Sequence, residues 1–296
     1  MALISFDPET ERKIAELKKL DPIRIFTKKL DLKVMNGEHE VGVRLFLPSG
    51  RTGDKGSLSG GRGVILFLHG GGWVTESVDT YERICALMAR ETGMQVLAVE
   101  YRRAPEDRFP TALNDCYAAA MALYSGELVE GAGEENIVIM GDSAGGNLAA
   151  ALVLMARDRG EFSPRKQILI YPALWNDYTD SSPFPSVKEN GEGHMLTAAK
   201  MEEYLGLYEK NGEDRKNPYF APLLETDLKG LPDTLILTAE LDPLRDEGEE
   251  YARRLSAAGS NVVCHRIKKA FHGYFALGIK HMFVGESLGY IKDFIK

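Results

Sequence analysis

The stretch Asn136-Ile-Val-Ile-Met-Gly-Asp-Ser-Ala-Gly-Gly-Asn-Leu-Ala-Ala-Ala151 decides how the rest of the chain is read. Ile137 to Met140 is an uninterrupted apolar run, as a strand covered on both faces requires, and the small residues from Ala144 onward suit a closely packed helix. Between them, Gly141-Asp142-Ser143-Ala144-Gly145 fits G-x-S-x-G, a sharp strand-to-helix turn that holds a serine hydroxyl out at the end of the strand. A turn this tight brings two backbones together, so side chains at 141 and 145 would clash. The hydroxyl then lies beside a helix N-terminus, where backbone N–H groups favour an anion. An ordinary glycine-rich turn would show the same five residues, so the surrounding segments have to decide.

Upstream, Val64-Ile-Leu-Phe-Leu68 reads as another buried strand and runs into His69-Gly-Gly-Gly-Trp73. A helix near 81–92 and a strand at 95–101 complete a βαβ unit, the rhythm of a parallel sheet. Residues 102–110, with two prolines, interrupt the chain before a helix at about 111–125. Downstream come strands at 168–172 and 234–238, a helix at about 245–258 stopped by Gly259, a strand at 261–267, a turn at His272-Gly273 and a closing helix from about Gly285. Towards the N-terminus, residues 8–20 form a short, weakly amphipathic helix, and residues 23–34 and 41–47 alternate as an antiparallel strand pair does. Residues 49–63, with six glycines, read as a mobile surface loop. The sheet rhythm breaks after residue 172, and the inserted segment carries a helix that Thr197 can cap and Gly212 can end. In it Met201, Tyr204, Leu205 and Tyr208 share one face, so the insertion reads as a lid over an α/β core.

A chain of 296 residues, 44% hydrophobic and 27% charged, can bury a large single core. A net charge of −8 without any basic run argues against a nucleic-acid or anionic-membrane surface. Cys85, Cys116 and Cys264 are widely spaced among apolar residues, which suggests small core residues and neither a disulfide framework nor a zinc site. The first residues lack a basic region followed by a long apolar core, and no apolar run approaches a membrane span. A reducing cytoplasm is therefore the expected location.

Acyl transfer needs a nucleophile, a base within reach of it, an acid that orients the base, and donors aimed at the developing oxyanion. Ser143 is the candidate nucleophile. Of six histidines, His272 is the best base, since Ala270-Phe-His-Gly-Tyr274 follows the last strand, where a loop crosses the carboxyl ends of the sheet. His265 falls inside a strand pattern, His281 beside a helix, and His39 and His194 in turns; His69 belongs to the glycine loop. Asp242, just past a buried strand, is the candidate acid, with Glu240 and Asp246 as rivals. Asp246 and Glu247 read better as first-turn helix residues favoured by the dipole. The three glycines after His69 expose backbone N–H groups, so Gly71 and Gly72, with the N–H of Ala144, are the expected oxyanion donors. Tyr101 to Glu106 reads as a brace for neighbouring loops. Trp73, Tyr171, Trp175 and Tyr204 are candidate pocket walls, each also suited to core packing.

Taken together, His69-Gly-Gly-Gly-Trp73, Glu100-Tyr-Arg-Arg-Ala-Pro-Glu106, Gly141-Asp-Ser-Ala-Gly-Gly146, Asp242-Pro-Leu-Arg-Asp-Glu-Gly248 and Phe271-His-Gly-Tyr274 resemble the hormone-sensitive-lipase group of α/β-hydrolase esterases. The resemblance implies an α/β-hydrolase fold, with an eight-stranded, mostly parallel sheet flanked by helices. It implies one domain over residues 1–296, with a helical cap contributed by about 1–22 and about 176–218. It also implies a carboxylesterase that splits small esters of short to medium acyl chains by a Ser-His-Asp triad. No metal or organic cofactor enters such chemistry. The group's habit of pairing through the C-terminal sheet edge implies a homodimer. Two other readings stay open: an amidase or arylformamidase with the same triad, and a catalytically dead small-molecule receptor. The presence of His272 weighs against the receptor.

Overall fold

Val64–Leu68 is buried at every position, as a strand of a sheet covered on both faces is. The computed structural model describes residues 7–16, 27–48, 63–278 and 281–296 and has that sheet at its centre. Its strands are β1 (Lys29–Asn36), β2 (His39–Phe46), β3 (Val64–Leu68), β4 (Gln95–Glu100), β5 (Ile137–Asp142), β6 (Lys166–Ile170), β7 (Asp233–Leu241) and β8 (Val262–Phe271). They lie in the order β1-β2-β4-β3-β5-β6-β7-β8. β1 and β2 run antiparallel to their neighbours, whereas β4 to β8 are parallel. The fold is thus the α/β-hydrolase architecture expected from the sequence.

The helices are α1 (Pro8–Glu16), α2 (Val78–Thr92), α3 (Thr111–Tyr124), α4 (Ala144–Arg159), α5 (Pro185–Asn190), α6 (Ala198–Tyr208), α7 (Arg245–Ala257) and α8 (Met282–Phe294). Because side chains alternate along a strand, Leu66, Leu68 and Ile139 join the core with α3, α4 and α7, while Ile65, Phe67, Val138 and Met140 join the one with α2 and α8. The parallel register pairs Leu68 with Gly141, Asp142 with Ile170, and Leu241 with Phe271. The chain that follows β3, β5, β7 and β8 therefore leaves the sheet along one edge. Residues 69–73, 143, 242 and 272 are brought to that edge by topology alone.

Several sequence expectations need correction. α6 stops at Tyr208 and not at Gly212, because Arg108 Nη1 reaches the carbonyls of Gly206 and Glu209 and satisfies the helix end without a glycine cap. α5 was not anticipated; six residues are too few to show a period. α8 opens at Met282, three residues before the expected start, and β8 continues to Phe271, well past 267. Cys85 and Cys116 are buried, but Cys264 is exposed because β8 is the outer strand of the sheet. The expected loop at 49–63 lies outside the described residues except for Gly63, as do residues 17–20 of the N-terminal helix. Among the described residues, no helix is long and apolar enough to cross a membrane.

Glu247 lies in the first turn of α7, as expected, but it is not solvated. It is fully buried, and its Oε1 accepts from the Leu174 N–H (2.6 Å) and the Tyr178 hydroxyl (2.8 Å), joining α7 to the start of the insertion. Burial pushes its pKa up from 4.5 to about 8, partly offset by those two donors. The folded chain thus holds a proton that the unfolded chain has lost between pH 4.5 and 8, so stability declines as pH rises through that window. In Glu247→Gln, which keeps an acceptor but cannot ionise, that decline is expected to vanish. Thermal unfolding from pH 5 to 9 should show the two Tm profiles diverging up to about pH 8 and running parallel above it; profiles parallel throughout would contradict the assignment.

Candidate active site

The turn after β5 owes its shape to what cannot fit there. A Cβ on Gly141 would stand 2.1 Å from the Gly145 carbonyl oxygen, and one on Gly145 would stand 2.0 Å from the Leu68 carbonyl oxygen. With both missing, β5 passes directly into α4, and Ser143 sits between them at φ 55° and ψ −120°. A non-glycine residue in that region carries strain of roughly 1–3 kcal/mol. It is held there by its N–H on the Ile170 carbonyl and by its own carbonyl, which accepts from Asn147 and Ala173.

Ser143 Oγ lies 2.7 Å from His272 Nε2, and His272 Nδ1 lies 2.7 Å from Asp242 Oδ2. The other carboxylate oxygen, Oδ1, accepts from the Leu244 N–H at 2.9 Å. Asp242 is fully buried, and Ser143 and His272 are nearly so, which keeps water from competing for these bonds. The Tyr171 ring packs 4.7 Å from the imidazole centroid. The three residues singled out from sequence thus stand in one hydrogen-bonded line. The rivals do not: Glu240 Oε2 accepts from the Lys269 N–H, and Asp246 pairs with Arg245 and Ser186. Nor do four other histidines: His69 stacks on Tyr101 at 4.3 Å, His265 on Tyr290 at 3.9 Å, His281 packs against Phe283, and His39 begins β2 rather than lying in a turn.

In the loop after β3, whose last residue pairs with Gly141 of the serine turn, Gly71, Gly72 and Trp73 have φ of 105°, 59° and 61° in succession. Such a run turns consecutive N–H groups into one concavity suited to an anion. Among the described residues, the N–H groups of Gly71, Gly72 and Ala144 have no acceptor. No side chain could be added to the two glycines: a Cβ on Gly71 would meet Glu76 at 2.5 Å, and one on Gly72 would meet the Tyr204 ring at 2.5 Å. The segment after β4 braces this loop, with Ala104 N–H on the Trp73 carbonyl, Arg103 on the Glu76 carbonyl and the Tyr101 hydroxyl on the His69 carbonyl.

Asp142 has a place in the site that the pattern Gly141-Asp142-Ser143-Ala144-Gly145 does not reveal. Its fully buried carboxylate accepts from the Gly70 N–H (2.9 Å), the Tyr81 hydroxyl (2.8 Å) and the Tyr171 hydroxyl (3.2 Å). It ties the start of the glycine loop to the ring that packs on His272. Burial pushes its pKa up to about 6, against the pull of the tyrosine and amide donors and of nearby His272. Its place in G-D-S-A-G was a signal; that two tyrosines distant in sequence would meet it was not.

Of the four candidate pocket walls, Tyr204 lies over Gly72 and Tyr171 over His272, while Trp73 stacks on Tyr208 at 4.5 Å and Trp175 meets Phe184 edge-on. Among the described residues, no group of three or more His, Cys, Asp or Glu side chains could hold a metal ion. The Ser143–His272–Asp242 line offers a path for proton transfer between hydroxyl, imidazole and carboxylate.

Comparison with known proteins adds to this geometry. A family model described as alpha/beta hydrolase fold matches residues 65–276. The chain is 33% identical over 247 residues to an arylesterase of Saccharolobus solfataricus, covering 82% of this chain and 76% of that protein. It is 37% identical over 251 residues to an ethyl acetate hydrolase of Pseudomonas putida, covering 84% and 76% respectively. Among solved structures, the thermophilic carboxylesterase EstE1 from a metagenomic library superposes with a TM-score of 0.88 at 32% identity, over 100% of both chains. A hyperthermophilic esterase of Pyrobaculum calidifontis does so with a TM-score of 0.86 at 33% identity, over 98% of this chain and 93% of its own.

Proposed function

The chain belongs to the alpha/beta hydrolase fold family and is a carboxylic ester hydrolase, and we propose that it cleaves short- to medium-chain acyl esters through an acyl-enzyme on Ser143. The observation that carries this reading is the line from Ser143 Oγ through His272 to Asp242, with both contacts at 2.7 Å. With Nδ1–H donated to Asp242, Nε2 is left to accept the serine proton. Oγ attacks the acyl carbonyl carbon as Nε2 takes that proton, and the carbonyl oxygen becomes an oxyanion within reach of the N–H groups of Gly71, Gly72 and Ala144. The imidazolium then protonates the leaving alcohol as the acyl–oxygen bond breaks. Water repeats the sequence against the acyl-serine and releases the acid. The scheme requires no metal or organic cofactor.

The same reading treats the chain as a single domain whose cap comes from the N-terminal segment, about 1–22, and from about 176–218. In support, Tyr204 of α6 lies on Gly72 while its hydroxyl meets Glu11 of α1, and Lys200 pairs with Glu11. The uncovered edge of β8, with Val263 and Cys264 exposed, is where a homodimer would form. A cytoplasmic location belongs to the same reading, supported by the two buried free thiols.

The test is covalent labelling with a fluorophosphonate, read by intact mass, together with turnover of p-nitrophenyl esters from acetate to decanoate and of a formanilide. One adduct on the wild type, none on Ser143→Ala, and turnover greatest for the shorter esters are expected. Absence of both adduct and ester turnover would refute the proposal, and formanilide cleavage outpacing ester cleavage would move it to an amidase.

A further inference from the structure

The loop that carries Asp242 is held from outside the sheet. It joins β7 to α7 through Asp242, Pro243 and Leu244, and the outward carbonyls of Glu240, Asp242 and Pro243 each need a donor. Much of what they receive comes from α5, a single turn-and-a-half of the insertion. Ser186 Oγ donates to the Pro243 carbonyl at 2.7 Å, and Asn190 Nδ2 lies 3.3 Å from the Asp242 carbonyl and 3.4 Å from that of Glu240. Ser186 is engaged twice more, its N–H on Asp246 Oδ2 at 2.7 Å and its Oγ accepting the Asp246 N–H at 3.2 Å. Glu189 pairs with Arg245 at 2.6 Å, and Arg245 Nη1 in turn reaches the Glu240 carbonyl.

Ser186 is fully buried and Asn190 is 5% exposed, so water cannot replace either donor when it is removed. Within the loop itself, among the described residues, the turn is closed by the Leu244 N–H on Asp242 Oδ1 and the Arg245 N–H on the Asp242 carbonyl. The position of the carboxylate relative to His272 thus depends on a segment that topology assigns to the insertion and not to the sheet.

We propose that Ser186 and Asn190 are positioning residues for the acid of the triad, so that this part of the insertion is a fixed foot of the catalytic apparatus and not a portion of a swinging lid. The inference rests on the reading of Asp242 as that acid. A buried loop freed of these donors shifts by a fraction of an ångström to an ångström, and misplacement on that scale costs up to about a hundredfold in rate. The hydrogen bonds given for these two side chains run to Glu240, Asp242, Pro243 and Asp246 and to neither Ser143 nor His272, so the loss falls on kcat and leaves KM alone.

The experiment measures kcat and KM for p-nitrophenyl butyrate in Ser186→Ala, Asn190→Ala and Asn190→Asp, each alone and combined with Asp242→Asn. Asn190→Asp keeps the shape of the side chain but turns a donor into an acceptor facing two carbonyl oxygens. Expected are kcat losses of roughly 5- to 50-fold, largest for Asn190→Asp, with KM within about twofold, and less than a twofold further loss on the Asp242→Asn background. Asn176→Ala, which removes a hydrogen bond internal to the insertion, to the Arg215 carbonyl, should leave kcat unchanged. Equal losses with and without the Asp242 carboxylate, or a raised KM with kcat intact, would overturn the coupling. Full activity in Asp242→Asn itself would instead overturn the triad assignment.

Discussion

Ser143→Ala is expected to lower kcat for p-nitrophenyl butyrate by about 10⁴- to 10⁶-fold while leaving the folded chain as stable as the wild type or more so. The size follows from the chemistry: without Oγ no acyl-serine can form, and water must attack the bound ester directly. What survives is what the amides of Gly71, Gly72 and Ala144 still do for the oxyanion, roughly 10³-fold over the uncatalysed reaction. The stability statement follows from the turn: Ser143 holds φ 55° whatever its side chain, and alanine neither adds bulk nor loses a backbone bond. In the proposed mechanism serine and imidazole, 2.7 Å apart, act as a unit, so adding His272→Ala should cost almost nothing more. Losses that multiplied in the double variant would show the two residues working independently, and the proposed mechanism would fail.

Gly145→Ala is expected to be more damaging to the whole molecule than any change at the triad. The added carbon would lie 2.0 Å from the Leu68 carbonyl oxygen and 2.5 Å from that of His69. Both obstacles are backbone, at the end of β3 and the start of the glycine loop, so no side-chain rotation relieves the overlap. α4 and β3 would have to separate at the turn that holds Ser143, beside the start of the glycine loop. A loss of about 3–5 kcal/mol, a fall in Tm of roughly 10 °C and at least a hundredfold loss of activity are expected. Gly206→Ala is the control, since Gly206 is an exposed position of α6 with nothing within 4 Å of an added carbon. It should hold or raise Tm, as alanine favours a helix by up to about 1 kcal/mol. Thermal melts of the two variants beside the wild type decide the matter; an unaltered Tm in Gly145→Ala would mean that the backbones at the elbow are not in contact.

These expectations show why so much of the site was legible beforehand. A sharp strand-to-helix turn, a glycine run after a buried strand, and an acid and a histidine after later strands are each local patterns. In a parallel sheet, every strand end followed by a loop lies on the same edge, so the patterns could be assigned to one place before any contact was known. The buried carboxyls were not legible in this way. Asp142 meets Tyr81 and Tyr171, and Glu247 meets Leu174 and Tyr178, through contacts spanning 29 to 73 residues. An acidic residue at a helix start reads as solvated unless the element that covers it is known, and α5, which covers the Asp242 loop, is too short to declare itself by period.

By itself, then, the sequence determined the class of fold and the chemical identity of the parts: apolar runs demand a doubly covered sheet, and glycines at 71, 72, 141 and 145 mark where backbones and amides must come close. Only the tertiary structure decided how those parts are held: which tyrosines ring Asp142, that Glu247 is buried and keeps its proton, and that Ser186 and Asn190 of the insertion grip the loop of Asp242. The reason is physical: backbone geometry is governed by local sterics that neighbouring residues reveal, whereas burial and polar pairing arise only when distant segments exclude water from one another.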